Sequence, residues 1–205
     1  MRGLARVRVA TVAVGLLFAG AAVADKPAQP PAMSPEEQAM MQKWQAFMTP
    51  GDPHKVLAAK VGSWTNKVTI WMAPGAPPTT TEGTSEFNTI MDGRYLTDMT
   101  TGSFQGTPFQ GHGLTGYDNM KKKYTSMWID NMGTGIMTAE GTYDAATKTF
   151  TYRGEGPDVM ADKYKPVKSV EKITGSDSWT AEMYAQTPDG KGWWKTMEIE
   201  YTRKK

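Results

Sequence analysis

The sequence predicts an all-β fold, a single antiparallel up-and-down β-barrel of about ten strands preceded by an N-terminal amphipathic helix. Three observations carry this expectation. Beyond residue 62, short β-patterned runs succeed one another between turn signals such as Pro74-Gly75, Asp92-Gly93, Asp118-Asn119 and Pro188-Asp189-Gly190, and no run keeps a helical period. Short connections make neighbours antiparallel, and ten strands in a meander would leave a long bare edge unless the sheet closed on itself. Glycines at 102, 106, 111, 113 and 116 crowd into the stretch 102–130, where a closing sheet needs bends or close backbone approaches.

Residues 1–24 read as a secretory signal peptide. Arg2, Arg6 and Arg8 precede an apolar run from Val9 to Val23 that ends in small residues, Ala22-Val23-Ala24. An uncleaved anchor would need about 20 strongly apolar residues, and this run is short and rich in Ala and Gly. The expected product is periplasmic, without a membrane span once the signal is removed. Losing those three arginines leaves 20 Lys and Arg against 21 Asp and Glu, a formal charge of −1. The basicity of the full chain therefore belongs to its leader, and a nucleic-acid surface is not indicated. Cysteine is absent, which excludes disulfides, thiolate metal sites, a cysteine nucleophile and a lipid-bearing cysteine.

Residues 25–33, DKPAQPPAM, are Pro-rich and lack periodicity, as a linker would. A helical segment at 34–60 follows. Ser34 suits the cap, Pro35 the first helical position, and Glu37 completes a capping box. Met40, Met41, Trp44, Phe47 and Met48 then recur on one helical face until Pro50-Gly51. That apolar face is expected to pack across one end or the outside of the barrel as a plug, with a mobile lid or a partner-binding helix as the sharper alternative. A second short run, Pro53 to Lys60, leads into the barrel domain at 61–205.

Strands are expected at 62–72, 80–90, 93–101, 109–117, 123–130, 135–142, 148–154, 167–174, 178–186 and 193–202. Alternation points Trp193, Met197, Ile199 and Tyr201 inward on the last strand, Trp179, Ala181, Met183 and Ala185 on its neighbour, and Trp64, Val68, Ile70 and Met72 on the first. A bulge at Gly111 or Gly113 would reverse the facing of everything beyond it. Residues 157–166 break the rhythm and are expected to form the longest loop.

Motifs for catalysis are sparse. Gly111-His112-Gly113-Leu114-Thr115-Gly116 satisfies G-x-G-x-x-G, but a turn follows where the dinucleotide fingerprint needs a helix. A haem barrel would need an axial histidine, and His112 is the sole strand-borne candidate; a hydrogen-bonded or outer-face residue is the simpler reading. Two histidines do not make zinc spacing. The fourteen methionines beyond the leader are scattered through the strands, as core filling is, rather than gathered in the clusters that hold copper. Asp98, Asp130, Glu140 and Arg94 fall on expected strands, where interior carboxylates could act as acid and base, yet no triad order or nucleophile elbow accompanies them. Lys121-Lys122-Lys123 reads as a solvated turn.

Several motifs together resemble one bacterial family: Leu57-x-x-x-Val61-Gly62-x-Trp64, Gly93-Arg94-Tyr95-Leu96, Gly106-x-x-Phe109-x-Gly111-x-Gly113-x-x-Gly116-Tyr117-Asp118, Trp128-Ile129-Asp130 and Gly141-Thr142-Tyr143-Asp144. They are similar to the often exported family called domain of unknown function fifteen-seventy-nine, over roughly residues 50–203. The resemblance implies a lipocalin-like, or calycin, barrel and no established activity. Gly62-Ser63-Trp64 is similar to the lipocalin Gly-x-Trp, whose indole lies under a late basic residue, and Arg203 matches that role. Gly62, Trp64 and Arg203 are thus structural candidates.

A ten-stranded barrel of this kind can enclose a small hydrophobic or amphipathic ligand. Phe109, Tyr117, Trp128, Met137, Phe150, Met183 and Met197 are the candidate lining, with Arg94, Tyr117 and His112 as polar contacts. No catalytic residue, metal ligand or cofactor is assigned. The alternatives are a filled barrel acting as an envelope interaction module, and a haem barrel or an enzyme using interior carboxylates.

Overall fold

A computed structural model describes residues 33–205. The signal-peptide assignment and all but Met33 of the Pro-rich linker lie outside the described residues. Ten strands form one closed barrel in sequence order, β1 (Gly62–Ile70), β2 (Thr79–Ile90), β3 (Tyr95–Phe104), β4 (Thr107–Asp118), β5 (Lys123–Asp130), β6 (Met137–Asp144), β7 (Thr149–Asp158), β8 (Lys163–Ile173), β9 (Ser178–Gln186) and β10 (Trp193–Arg203). Every neighbouring pair is antiparallel, and β1 closes the ring against β10 over Trp64↔Arg203 to Ile70↔Met197. Closure satisfies the two edges that an open meander would expose.

Two helices precede the barrel, α1 (Pro35–Met48) and α2 (Asp52–Ala58). The Ser34–Glu37 capping box forms in both directions at the start of α1. The plug, however, is α2 and not α1. Leu57 of α2 is buried in the floor of the barrel, and Lys60 just beyond it enters the interior. No residue of α1 is buried, and Met40, Met41 and Trp44 of its apolar stripe are each 54% exposed. What holds α1 is its C-terminus, whose unpaired carbonyls need donors. Asn119 donates its amide N–H to the carbonyls of Ala46, Phe47 and Thr49, and Arg94 donates to that of Met48 (2.9 Å).

Three further expectations are corrected. Residues 157–166 are not a long loop: β7 and β8 pair out to Asp158↔Lys163 around one 3-10 turn, Val159–Ala161. β4 keeps an unbroken register with both neighbours, so Gly111 and Gly113 carry no bulge. The parity change falls instead between Lys195 and Met197. It turns Trp194 inward and Trp193 outward, where the Trp193 ring lies against Lys168 and Arg153 of the outer wall. Met72 lies past the end of β1 and is exposed.

The core occupies one end. Trp64, Phe87, Tyr124, Phe150, Trp179 and Tyr201 pack there under α2, with Trp179 stacked on Tyr201 at 3.7 Å and Phe150 edge-on to Tyr124 at 5.0 Å. Arg203 lies over the Trp64 ring at 4.1 Å and donates to the Val61 carbonyl (2.7 Å), sealing that end. The opposite end carries the connections 71–78, 105–106, 131–136, 159–162 and 187–192.

Candidate functional site

Above the aromatic floor the interior is a cup. Residues directly opposite in an antiparallel pair share a face, so register alone assigns its wall. Trp128 is opposite Gly113 and Met137, and Met183 is opposite Met197 and Ser169. Phe109 and Trp128 stack at 6.4 Å. These groups face inward, yet Phe109, Trp128, Met137 and Met197 are only half-buried and Met183 is 40% exposed. The floor is packed shut, and the inward-facing side chains above it are only partly covered.

Polar groups sit where floor meets cup. Lys60 is buried and forms an ion pair with Glu171 of β8, its ammonium held over the rings of Phe150 (4.7 Å) and Trp179 (4.4 Å). Across from it lies a relay on β1, β2 and β3. Asn66 donates its amide N–H to Ser85 Oγ (2.9 Å), the Ser85 and Thr100 hydroxyls share a bond of 2.7 Å, and Asp98 lies two residues from Thr100 on the same face of β3. Burial and then the Glu171 charge push the Asp98 carboxyl up to about 7, against the pull of Lys60 and Thr100. Burial, with Asp98 and Glu171 nearby, likewise holds the Tyr201 phenol well above its usual value.

Two inward glycines make the packing possible. A Cβ on Gly113 would come within 2.0 Å of Asp98 Oδ2, and one on Gly111 within 2.2 Å of the Trp128 ring. At both positions β4 omits a side chain where one from a neighbouring strand must lie across it.

The residues singled out from sequence divide by location. Phe109, Trp128, Met137, Met183 and Met197 line the cup. Phe150, with no exposed surface, and Tyr117, packed on Tyr124 at 4.9 Å, belong to the floor. Arg94 sits in the turn that tethers α1, outside the barrel. His112 is exposed on the outer wall beside Gln110. The other histidine, His54, accepts from the Gly51 N–H (3.0 Å) and closes the start of α2; burial lowers its pKa. Among the interior carboxylates weighed, Glu140 is outside, paired with Lys121 and Lys123. Asp130 is at the cup's upper end, accepting from Trp128 Nε1 (2.8 Å).

Sequence reasoning missed Lys60, Asn66, Ser85 and Glu171. One signal was present, because Asn66 is polar at a core parity between Trp64 and Val68. Two open grooves lie outside the cup, one of about 340 Å³ at the rim near Lys163 and Pro188 and one of about 560 Å³ on the outer wall near Ile136, Arg153 and Tyr164. Among the described residues no cluster of three or more His, Cys, Asp or Glu is arranged to hold a metal, and no helix is long and apolar enough to cross a membrane.

A family model described as "Protein of unknown function (DUF1579)" matches residues 49–203. No curated protein matches the chain. Among solved structures, Rv2717c from M. tuberculosis aligns over 77% of this chain and 100% of its own, with 14% identity and a TM-score of 0.56, a likeness of fold. A redesigned β-barrel aligns over 73% of this chain and 96% of its own, with 13% identity and a TM-score of 0.37.

Proposed function

From the premise that the chain belongs to the family of unknown function whose model it matches over residues 49–203, we propose that the barrel is a binding cup for a small hydrophobic or amphipathic molecule. The observation that carries this reading is Met183, which faces the interior by register and is nevertheless 40% exposed. A filled barrel would bury that thioether. Met183, Met197 and Met137 supply adaptable apolar contacts and Trp128 and Phe109 flat ones, so the wall suits a flexible hydrocarbon better than a rigid polar solute. The ligand enters opposite α2, since Trp64, Arg203 and Leu57 close the other end.

The test is titration with the neutral fluorophore N-phenyl-1-naphthylamine. Saturable binding at one site per chain is expected, and it is lost in Met183→Arg, which fills the cup with a charged side chain. A signal that never saturates, or that survives in Met183→Arg, overturns the reading in favour of a barrel without a ligand.

A further inference from the structure

The polar groups at the base of the cup are unbalanced in charge and in hydrogen-bonding capacity. Two carboxylates, Asp98 and Glu171, meet inside the barrel with one cation, Lys60. That cation is committed, because its ammonium pairs with Glu171 and is covered by Phe150 and Trp179. Asp98 forms no ion pair of its own, and the Lys60 charge, followed by the Thr100 hydroxyl, only partly offsets its burial and the Glu171 charge. Tyr201 and, beside Glu171, Tyr152 are the other titratable groups facing this cluster. A buried carboxylate without a cation is costly.

The hydrogen inventory points the same way. The Ser85 and Thr100 hydroxyls share one bond, whose hydrogen either can supply. Asn66 in turn donates to Ser85. Within the relay, the buried atom left without a partner is an acceptor. Asn66 is 3% exposed and its Oδ1 has no partner. The second orphan, Trp179 Nε1, belongs to the aromatic floor, where Trp64, Phe87 and Tyr201 surround its ring.

A ligand head that donates hydrogens and brings positive charge answers both deficits, whereas a carboxylate or phosphate would meet acceptors and a net negative charge. We propose that the cup takes an amphipathic amine, its ammonium seated against Asp98 and the free carbonyl oxygen of Asn66 and its hydrocarbon lying along Met183, Met197 and Trp128. This assignment rests on the binding-cup reading above.

The experiment compares decylamine, decanol and decanoate, which share a tail and differ in head, as competitors for the bound naphthylamine at pH 8, with calorimetry of decylamine alone as a direct measurement. Decylamine is expected to compete at concentrations at least tenfold lower than the other two. That preference should vanish in Asp98→Asn while the fluorophore still binds. In the native protein it should shrink on acidification to pH 5.5, where Asp98 is protonated, which removes the charge without any substitution. Equal competition by the three heads, or a preference retained in Asp98→Asn, overturns the amine assignment and leaves the cup standing. Absence of binding by both fluorophore and decylamine overturns the cup and the assignment together.

Discussion

Asp98→Asn should stabilise the protein, and by an amount that depends on pH. The carboxyl moves from 3.8 to about 7 on folding, about 3 pK units, and each unit is worth about 1.4 kcal/mol. Because the folded-state value is the higher one, the native state binds the proton more tightly than the unfolded chain. Stability contributed by this group is therefore full below pH 3.8, falls as pH rises, and is lost above about 7. At pH 8 the native protein carries the whole penalty, up to about 4 kcal/mol, and at pH 5 only the part accrued since 3.8. Urea denaturation at the two pH values isolates the group, since every other titration is common to both proteins. The stabilisation conferred by Asp98→Asn should be larger at pH 8 than at pH 5 by about 3 kcal/mol. Screening through the open cup reduces this figure without changing its sign. Parallel stability curves for the two proteins across this range would refute the account of Asp98 as a buried carboxylate lacking a cation.

Two further outcomes test the division between floor and cup. Phe150→Ala, at a site with no exposed surface, should cost about 3–5 kcal/mol, while Trp128→Ala should cost clearly less, about 1–2 kcal/mol, because its half-buried ring loses fewer contacts; equal urea midpoints for the two variants would contradict an open upper barrel. Lys60→Met strands Glu171 without its cation and should destabilise by about 3–5 kcal/mol, most of it recovered in the double variant Lys60→Met/Glu171→Leu. A double variant no more stable than the single one would show that Lys60 acts through packing on Phe150 and Trp179 rather than through its charge.

Much of the architecture was legible in local signals. All ten expected strands are present, although β7 and β8 run on through the stretch read as a loop, because a strand's period and a turn's positive φ are set by near neighbours. Facing was legible only while the register ran unbroken. The bulge between Lys195 and Met197 exchanges Trp193 for Trp194, and its neighbours are plain strand residues without the glycine or proline that would mark it. Glycines 111 and 113 looked like bends and are instead recesses for Trp128 and Asp98, a role defined by side chains on other strands. Helix α1 shows the limit of amphipathic pattern as evidence for packing, since its apolar stripe is real and no described residue covers it.

By itself the sequence determined the class of fold, the order of the strands, the cap of α1 and the Trp64–Arg203 closure, since each depends on local periodicity, turn chemistry or a motif. Tertiary structure alone decided what the interior holds. Lys60 and Glu171 are 111 residues apart, and Asn66, Ser85 and Asp98 come from three different strands. Their meeting depends on register and on the closing of the ring, quantities that no stretch of the chain encodes by itself. Burial then supplies the chemistry, because the same carboxylate exposed on the outer wall, as Glu140 is, pairs with lysines and is held below its ordinary value, whereas at the base of the cup it is driven up to about 7.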